Sequence, residues 1–280
     1  MIQPVTDQEL SALVEQMPPV ATVIQRLLAV LRDPLSEVSD IARLVLVDTT
    51  LATQVLRLAN SPHYGLEKQV SSIDQAIQHV GVNEITRLAT TLSARQLFQR
   101  PLTRYKLTPH LMWHHTLAVA VGAEIVAQRL FGDTETAYLA GLLHGIGFIA
   151  LDGVAAARNL APRPAKKPLL EWERETFGTD NAATAARLLH HWGFPPAIAQ
   201  AVGNRYEVPN METIAEPGGL LYTASFLAET IPAGLPPEAG LFFAPTKALE
   251  AFIVRPAEIR DFEFAVRQKL SRLRTMLNLA

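Results

Sequence analysis

From Ala137 to Leu151 the chain runs fifteen residues without a charge, and its centre reads Leu139-Ala140-Gly141-Leu142-Leu143-His144-Gly145-Ile146-Gly147-Phe148-Ile149. A segment this apolar has to be buried, so the rest of the chain must wrap it. It falls short of the roughly 20 residues that span a bilayer, and His144, three glycines and Asp152 interrupt or close it. A core helix is therefore expected, not a membrane span. Its single imidazole lies between glycines where a buried helix should end. Such a residue is either a satisfied core histidine or the remnant of a metal site.

The surroundings are helical almost throughout. Val20, Val23, Ile24, Leu27, Leu28 and Leu31 recur at helical spacing, between Met17-Pro18-Pro19 and the breaker Asp33-Pro34. Val38, Ile41, Ala42 and Val45 mark a second helix, and Leu51, Val55 and Leu58 a third that stops at the turn-rich Asn60–Gly65. Ser72 with Gln75 reads as a capping box for a helix ended by Gly81, and Asn83 is expected to cap the next one. Arg100-Pro101 and Thr108-Pro109 bracket a subdomain boundary.

A long helix follows Trp113-His114-His115-Thr116. Further helices are expected over Glu171–Phe177, Asn181–Trp192 and Ala197–Val202. Residues 231–246, with four prolines, should be loop, and Pro256 should open a last helix carrying Ile259, Phe262, Val266, Leu270, Leu273 and Leu277 on one side. No strand pattern emerges. The expected fold class is all-α: two packed helical subdomains, the second a helical bundle.

Composition narrows the function classes. With no cysteine, disulfides, thiol catalysis and cysteine-ligated metals are excluded. A formal net charge of -2 provides no global field toward nucleic acid or anionic lipid. The N-terminal residues lack the basic start and apolar run of a signal peptide, so a cytoplasmic location is expected.

Several motifs together resemble one family. Met17-Pro18-Pro19, Ile41-Ala42-Arg43-Leu44 to Asp48, Leu56-Arg57-Leu58-Ala59-Asn60-Ser61, Tyr64-Gly65, Ser72-Ile73-Asp74-Gln75-Ala76-Ile77 and Val80-Gly81-Val82-Asn83 strongly resemble the HDOD family. So do Trp113-His114-His115-Thr116, Ala140-Gly141-Leu142-Leu143-His144 and Trp192-Gly193-Phe194-Pro195. The resemblance covers roughly residues 17–207. It implies an N-terminal helical subdomain over 17–100 and an HD-like bundle over 108–207. Residues 1–16 would then be a lead-in, and 208–280 a helical extension packed on the HD-like part. It also implies a bacterial regulatory or signalling protein akin to the HD superfamily of metal-dependent phosphohydrolases.

In that chemistry, imidazoles and carboxylates converge on divalent metal, which activates a water and neutralises phosphoryl charge. Here His115 matches the first His and His144 the His of the His-Asp pair. The paired Asp, however, is Gly145, and a further His position is Asn181. The next falls on Asn204-Arg205-Tyr206, the late Asp on Ala224-Ser225, and the lysine after the pair on Phe148. Two imidazoles without a carboxylate suit Mg2+ or Mn2+ poorly, and an arginine nearby repels a cation. No catalytic residue, metal or cofactor is therefore expected.

His115, His144, Asn181, Asn204 and Arg205 could instead converge on an anionic ligand such as a nucleotide or cyclic dinucleotide. The expected function is a non-catalytic signalling module that binds a protein partner. The alternative is a metal-dependent phosphohydrolase acting on a nucleotide or cyclic dinucleotide.

Other features read as structural. His190 and His191 point about 100° apart on a helix, so they cannot share a pocket, and His114 faces away from His115 by the same geometry. Residues 37–60 mimic a helix-turn-helix, but Arg57 is the only cation on the would-be recognition helix, so no DNA partner is expected. The last helix combines an apolar stripe with an excess of basic residues, which suits either its own domain or a homodimer.

Overall fold

The computed structural model describes residues 3–17, 20–32, 37–65, 67–239, 241–242 and 256–276. The expectations resting on Pro18, Pro19, Pro34, Leu277 and residues 243–246 lie outside it, as do those on the side chains of Leu31, Val38 and Ile259. The fold is all-α, as expected, and among the described residues no strand forms. The chain divides into two units: Met17–Leu97 joined by the C-terminal end from Arg272, and the residues up to Gln16 together with Phe98–Ser271. The break falls at Leu97, close to the boundary drawn from the prolines. The described residues up to Gln16 group with the larger unit.

The smaller unit contains α2 (Val20–Arg32), α3 (Val38–Leu46), α4 (Thr49–Ala59), α5 (Ile73–Val80) and α6 (Val82–Arg95). Ile24, Leu27, Ile41, Val45, Val55, Leu58, Ile73, Ile77, Ile85 and Leu88 fill its core, all 4% exposed or less. Asp48 caps α4 by accepting from the amides of Thr50 and Leu51. Ser72 caps α5 by accepting from Gln75, whose side chain reaches back to the Ser71 amide at 2.9 Å. Asn83 does not cap α6. Gly81, at φ 97, both ends α5 and starts α6, and it leaves Asn83 inside the first turn.

Asn60 pins the 61–72 connection. Its Nδ2 donates to Leu56 O at 3.0 Å and Val70 O at 2.8 Å, while its Oδ1 accepts from Val70 N at 2.8 Å. Val70 is buried, so no water is at hand to replace these bonds.

The larger unit contains α1 (Asp7–Gln16), α7 (Pro109–Arg129), α8 (Thr134–Leu143), α9 (Ile146–Ala157), α10 (Leu169–Phe177), α11 (Asn181–His191), α12 (Pro196–Gly203), α13 (Pro217–Thr230) and α14 (Pro256–Met276, grouped here up to Ser271). Helix α1 opens with a capping box between Thr6 and Glu9, and Glu9 pairs with Arg158 at 2.8 Å. Helix α7 packs along α8 and α13, and α11 along α9 and α12. Small residues allow the close crossings. A Cβ on Gly141 of α8 would lie 2.5 Å from Ala120 Cα of α7.

The uncharged stretch forms two helices, broken at His144-Gly145. Thr134–Ala157 is long and apolar enough to cross a membrane, its most apolar 18-residue window having mean hydropathy 1.7, but 83% of that window is buried inside the protein. Asn60→Ala would leave both backbone groups of Val70 unpaired. It is expected to destabilise the smaller unit by about 2–3 kcal/mol, read by urea unfolding. Asn60→Asp should recover little of that loss: it keeps the acceptor for Val70 N but sets a carboxylate oxygen against the Leu56 and Val70 carbonyls.

Candidate functional site

Four of the five residues expected at a pocket lie buried in the larger unit. His115 projects from α7, His144 follows the last residue of α8, Asn181 opens α11, and Arg205 lies just beyond α12. Each is 1% exposed or less. The glycines after His144 explain the approach of these elements. A Cβ on Gly147 would fall 1.8 Å from the Asn181 carbonyl oxygen, so only glycine lets α9 and α11 meet at their N-terminal ends.

Asn204 does not join them, contrary to expectation. It is the exposed residue that ends α12 and lines a surface cleft with Glu207 and Glu216. Where a helix gives way to a turn, consecutive side chains diverge, so Asn204 faces outward while Arg205 points inward.

Arg205 is the centre of the cluster. Its Nη2 donates to Asn181 Oδ1 at 3.0 Å and, at short range, to Glu238 Oε1 and the Tyr206 hydroxyl. Tyr206 donates to Glu238 Oε1 at 2.6 Å. The guanidinium lies 4.2 Å from the Tyr206 ring centre and 5.7 Å from that of Phe148, the residue standing where the family pattern has lysine. Burial works against the charge on Arg205, and Glu238 with Tyr206 and Glu173 together more than restores it. Burial likewise opposes ionisation of Glu238, yet Arg205 beside it holds that carboxyl well below the usual range.

The histidines face this ion pair. Nδ1 of His115 meets Ala233 O at 2.8 Å, and Nδ1 of His144 meets Gly141 O at 2.6 Å. A carbonyl only accepts, so both Nδ1 atoms carry hydrogen. His115 Nε2 lies 3.3 Å from Glu238 Oε2, and the two imidazole rings meet edge-on with centres 5.1 Å apart. Burial, then the charge of Arg205, pushes the His144 imidazole well below its ordinary value.

Glu238 supplies the carboxylate that the HD motif positions lack, from a 3-10 turn (Pro236–Glu238) far along the chain. The set still does not fit a divalent metal. One oxygen of that carboxylate is committed to Arg205 and Tyr206, a full positive charge stands beside it, and no three His, Asp or Glu among the described residues have metal-holding geometry. At the late-Asp position, Ala224 packs on Gly122 and the buried Ser225 hydroxyl has no partner among the described residues.

Behind Asn181 lies a second carboxyl that the motif comparison does not reach. Glu173 Oε2 accepts from the backbone and side-chain nitrogens of Asn181, both at 2.9 Å, and Oε1 accepts from Tyr105 at 2.7 Å. A signal for it existed: Leu169, Trp172, Glu173 and Phe177 share one helical stripe, which places an acid on the inward face of α10. Glu238 had no such signal, because its proline-rich surroundings carry no period.

Burial pushes the Glu173 carboxyl from 4.5 up to about 7, with Asp180 adding to the shift and the hydrogen bonds from Tyr105 and Asn181 opposing it. Between those values the folded protein holds a proton that the unfolded chain releases. This contribution is therefore fully present below pH 4.5 and is lost as pH rises through 7, on the order of 3 kcal/mol in all. Glu173→Gln mimics the protonated form. Its stability relative to the parent chain is expected to climb between about pH 5 and pH 7, as read by denaturant titration across pH. A constant difference would contradict the assignment.

The comparisons with known proteins agree with this architecture. An HDOD domain structure from Geobacter sulfurreducens, of unknown function, superposes with a TM-score of 0.66 at 21% identity, covering 97% of this chain and 95% of that one. A structure from Marinobacter aquaeolei VT8, described as a candidate signal transduction protein, gives 0.69 at 22% identity over 99% of this chain and 62% of the other. A candidate phosphohydrolase from Shewanella amazonensis SB2B gives 0.59 at 20% identity, over 96% and 95%. At these identities the likeness shows the fold alone. An uncharacterised protein of Treponema pallidum (strain Nichols) is 25% identical over 234 residues, 78% of this chain, and this chain spans only 42% of that protein's length. The model of the HDOD domain matches residues 17–208, well over half of the sequence, and the chain belongs to the HDOD family.

Proposed function

We propose that this chain is a non-catalytic, cytoplasmic signalling or regulatory module that acts by binding a protein partner, with a nucleotide-like anion as its small-molecule ligand. One observation carries this reading. Where HD chemistry needs a divalent metal between imidazoles and carboxylates, the pocket holds a guanidinium already paired with its own carboxylate. A permanent cation can neutralise negative charge, but it cannot bind and ionise a water as a metal does. The helix-turn-helix alternative draws no support from α3 and α4, whose inward faces are spent on core packing.

Elemental analysis of the untagged, chelator-free protein, run beside a Mn2+- or Mg2+-supplemented phosphodiesterase assay, tests the reading. The expected result is metal well below one ion per chain and no turnover above background. Near-stoichiometric metal that disappears in His144→Ala, together with turnover, would overturn it in favour of a phosphohydrolase.

A further inference from the structure

Glu238 is held the way a bound ligand would be held. It comes from a strap, residues 231–239 with 241–242, whose described backbone hydrogen bonds are internal: Ala233 to Ile231, Glu238 to Leu235, Ala239 to Pro236 and Leu241 to Glu238. Among the described residues, the strap's polar ties to the rest of the unit are two. His115 Nδ1 donates to Ala233 O, and the Glu238 carboxylate is gripped by Arg205 and Tyr206 with His115 Nε2 facing it. Guanidinium and phenol groups are donors that recognise carboxylates and phosphates.

The grip is incomplete. Arg205 brings five N–H donors, but among the described residues its Nε and Nη1 have no partner although the side chain is fully buried. His144 Nε2 is also unpaired and, with hydrogen on Nδ1, presents a lone pair. Among the described residues Glu238 Oε2 has no partner either, so the docked carboxylate leaves donors of the pocket and one of its own oxygens unmatched, and unpaired buried polar atoms are unfavourable. A phosphate group has more oxygens to offer Nε and Nη1, and its monoanion carries a P–OH that can donate to the His144 lone pair.

We infer that the pocket of Arg205, Tyr206, His115, His144 and Asn181 is a binding site for a small phosphate-bearing anion, and that Glu238 occupies it as an internal competitor. Ligand entry and strap docking are then mutually exclusive, because one set of side chains serves both. Release of the strap uncovers Leu235 and Phe242, which are buried in the docked state, so occupancy of the pocket becomes legible at the surface. The inference deepens the metal-free reading of the pocket proposed above and rests on it.

The test uses the full chain, metal-free, with inorganic phosphate as probe and chloride at matched ionic strength as control. Glu238→Ala leaves a buried guanidinium uncompensated, so its thermal midpoint should fall, and phosphate should restore several degrees of it. Glu238→Gln keeps the shape of the strap and carries the test if the alanine variant does not fold. It should bind phosphate at least about tenfold more tightly than the parent chain, which corresponds to about 1.4 kcal/mol or more. Adding Arg205→Met to Glu238→Gln should abolish the response.

In the parent chain, phosphate should quicken chymotrypsin cleavage after Leu241 or Phe242. Adenosine 5′-monophosphate binding more tightly than phosphate would assign a nucleotide, and equal binding would assign the phosphate group alone. Identical responses in parent and variants, or none beyond chloride, would overturn the inference. Such a result on metal-free protein would remove the anionic ligand and leave the non-catalytic, protein-binding reading standing, whereas stoichiometric metal would remove both.

Discussion

A full positive charge sits at zero exposure on Arg205, with Glu238 as its counter-ion, and neither could be buried alone. Stripping water from either ion costs several kcal/mol, which only the partner and well-placed hydrogen bonds offset. The larger unit is arranged to meet that condition. The start of α11 supplies Asn181, the turn after α12 supplies Arg205 and Tyr206, and the strap after α13 supplies Glu238. A register error in any of these would strand a charge in the core, so the pair makes the correct packing much more favourable than its neighbours.

The departures from the HD pattern fit one another. Phe148, in place of a lysine, offers an aromatic face to the guanidinium instead of a competing cation. Gly145, in place of the aspartate, lies where a Cβ would come within 2.4 Å of Met112 Cε and 2.9 Å of the Phe98 ring, so apolar side chains fill the space beside it. Asn181, in place of a histidine, accepts from Arg205 on one side and donates to Glu173 on the other. Each change removes a metal ligand or adds a partner for a resident cation. Together they describe a pocket built around an arginine.

Much of this was legible from local pattern. Helical periodicity placed the core residues of α2 to α7, the glycines and prolines located most breaks, and His115, His144, Asn181 and Arg205 were assigned to one pocket from motif positions. Some signals were present but easily passed over. Thr6 and Glu9 form the capping box that opens α1, and Glu173 sits on the apolar stripe of α10. Asn204 lies outside the pocket because a helix end sends adjacent side chains in different directions, which no count along the chain reveals.

The sequence by itself determined the helical class and the burial of the 137–151 stretch, because each follows from residue type and spacing within a few turns; the departures from the HD pattern became legible only through the resemblance to the family. Only the tertiary structure decided which groups meet around Arg205. Glu238 lies 33 positions beyond Arg205 in a segment without periodicity, and its pairing is set by where the strap crosses the bundle. Long-range pairing of buried charges depends on desolvation and on the whole packing that enforces it, and neither is written in the local pattern of the chain.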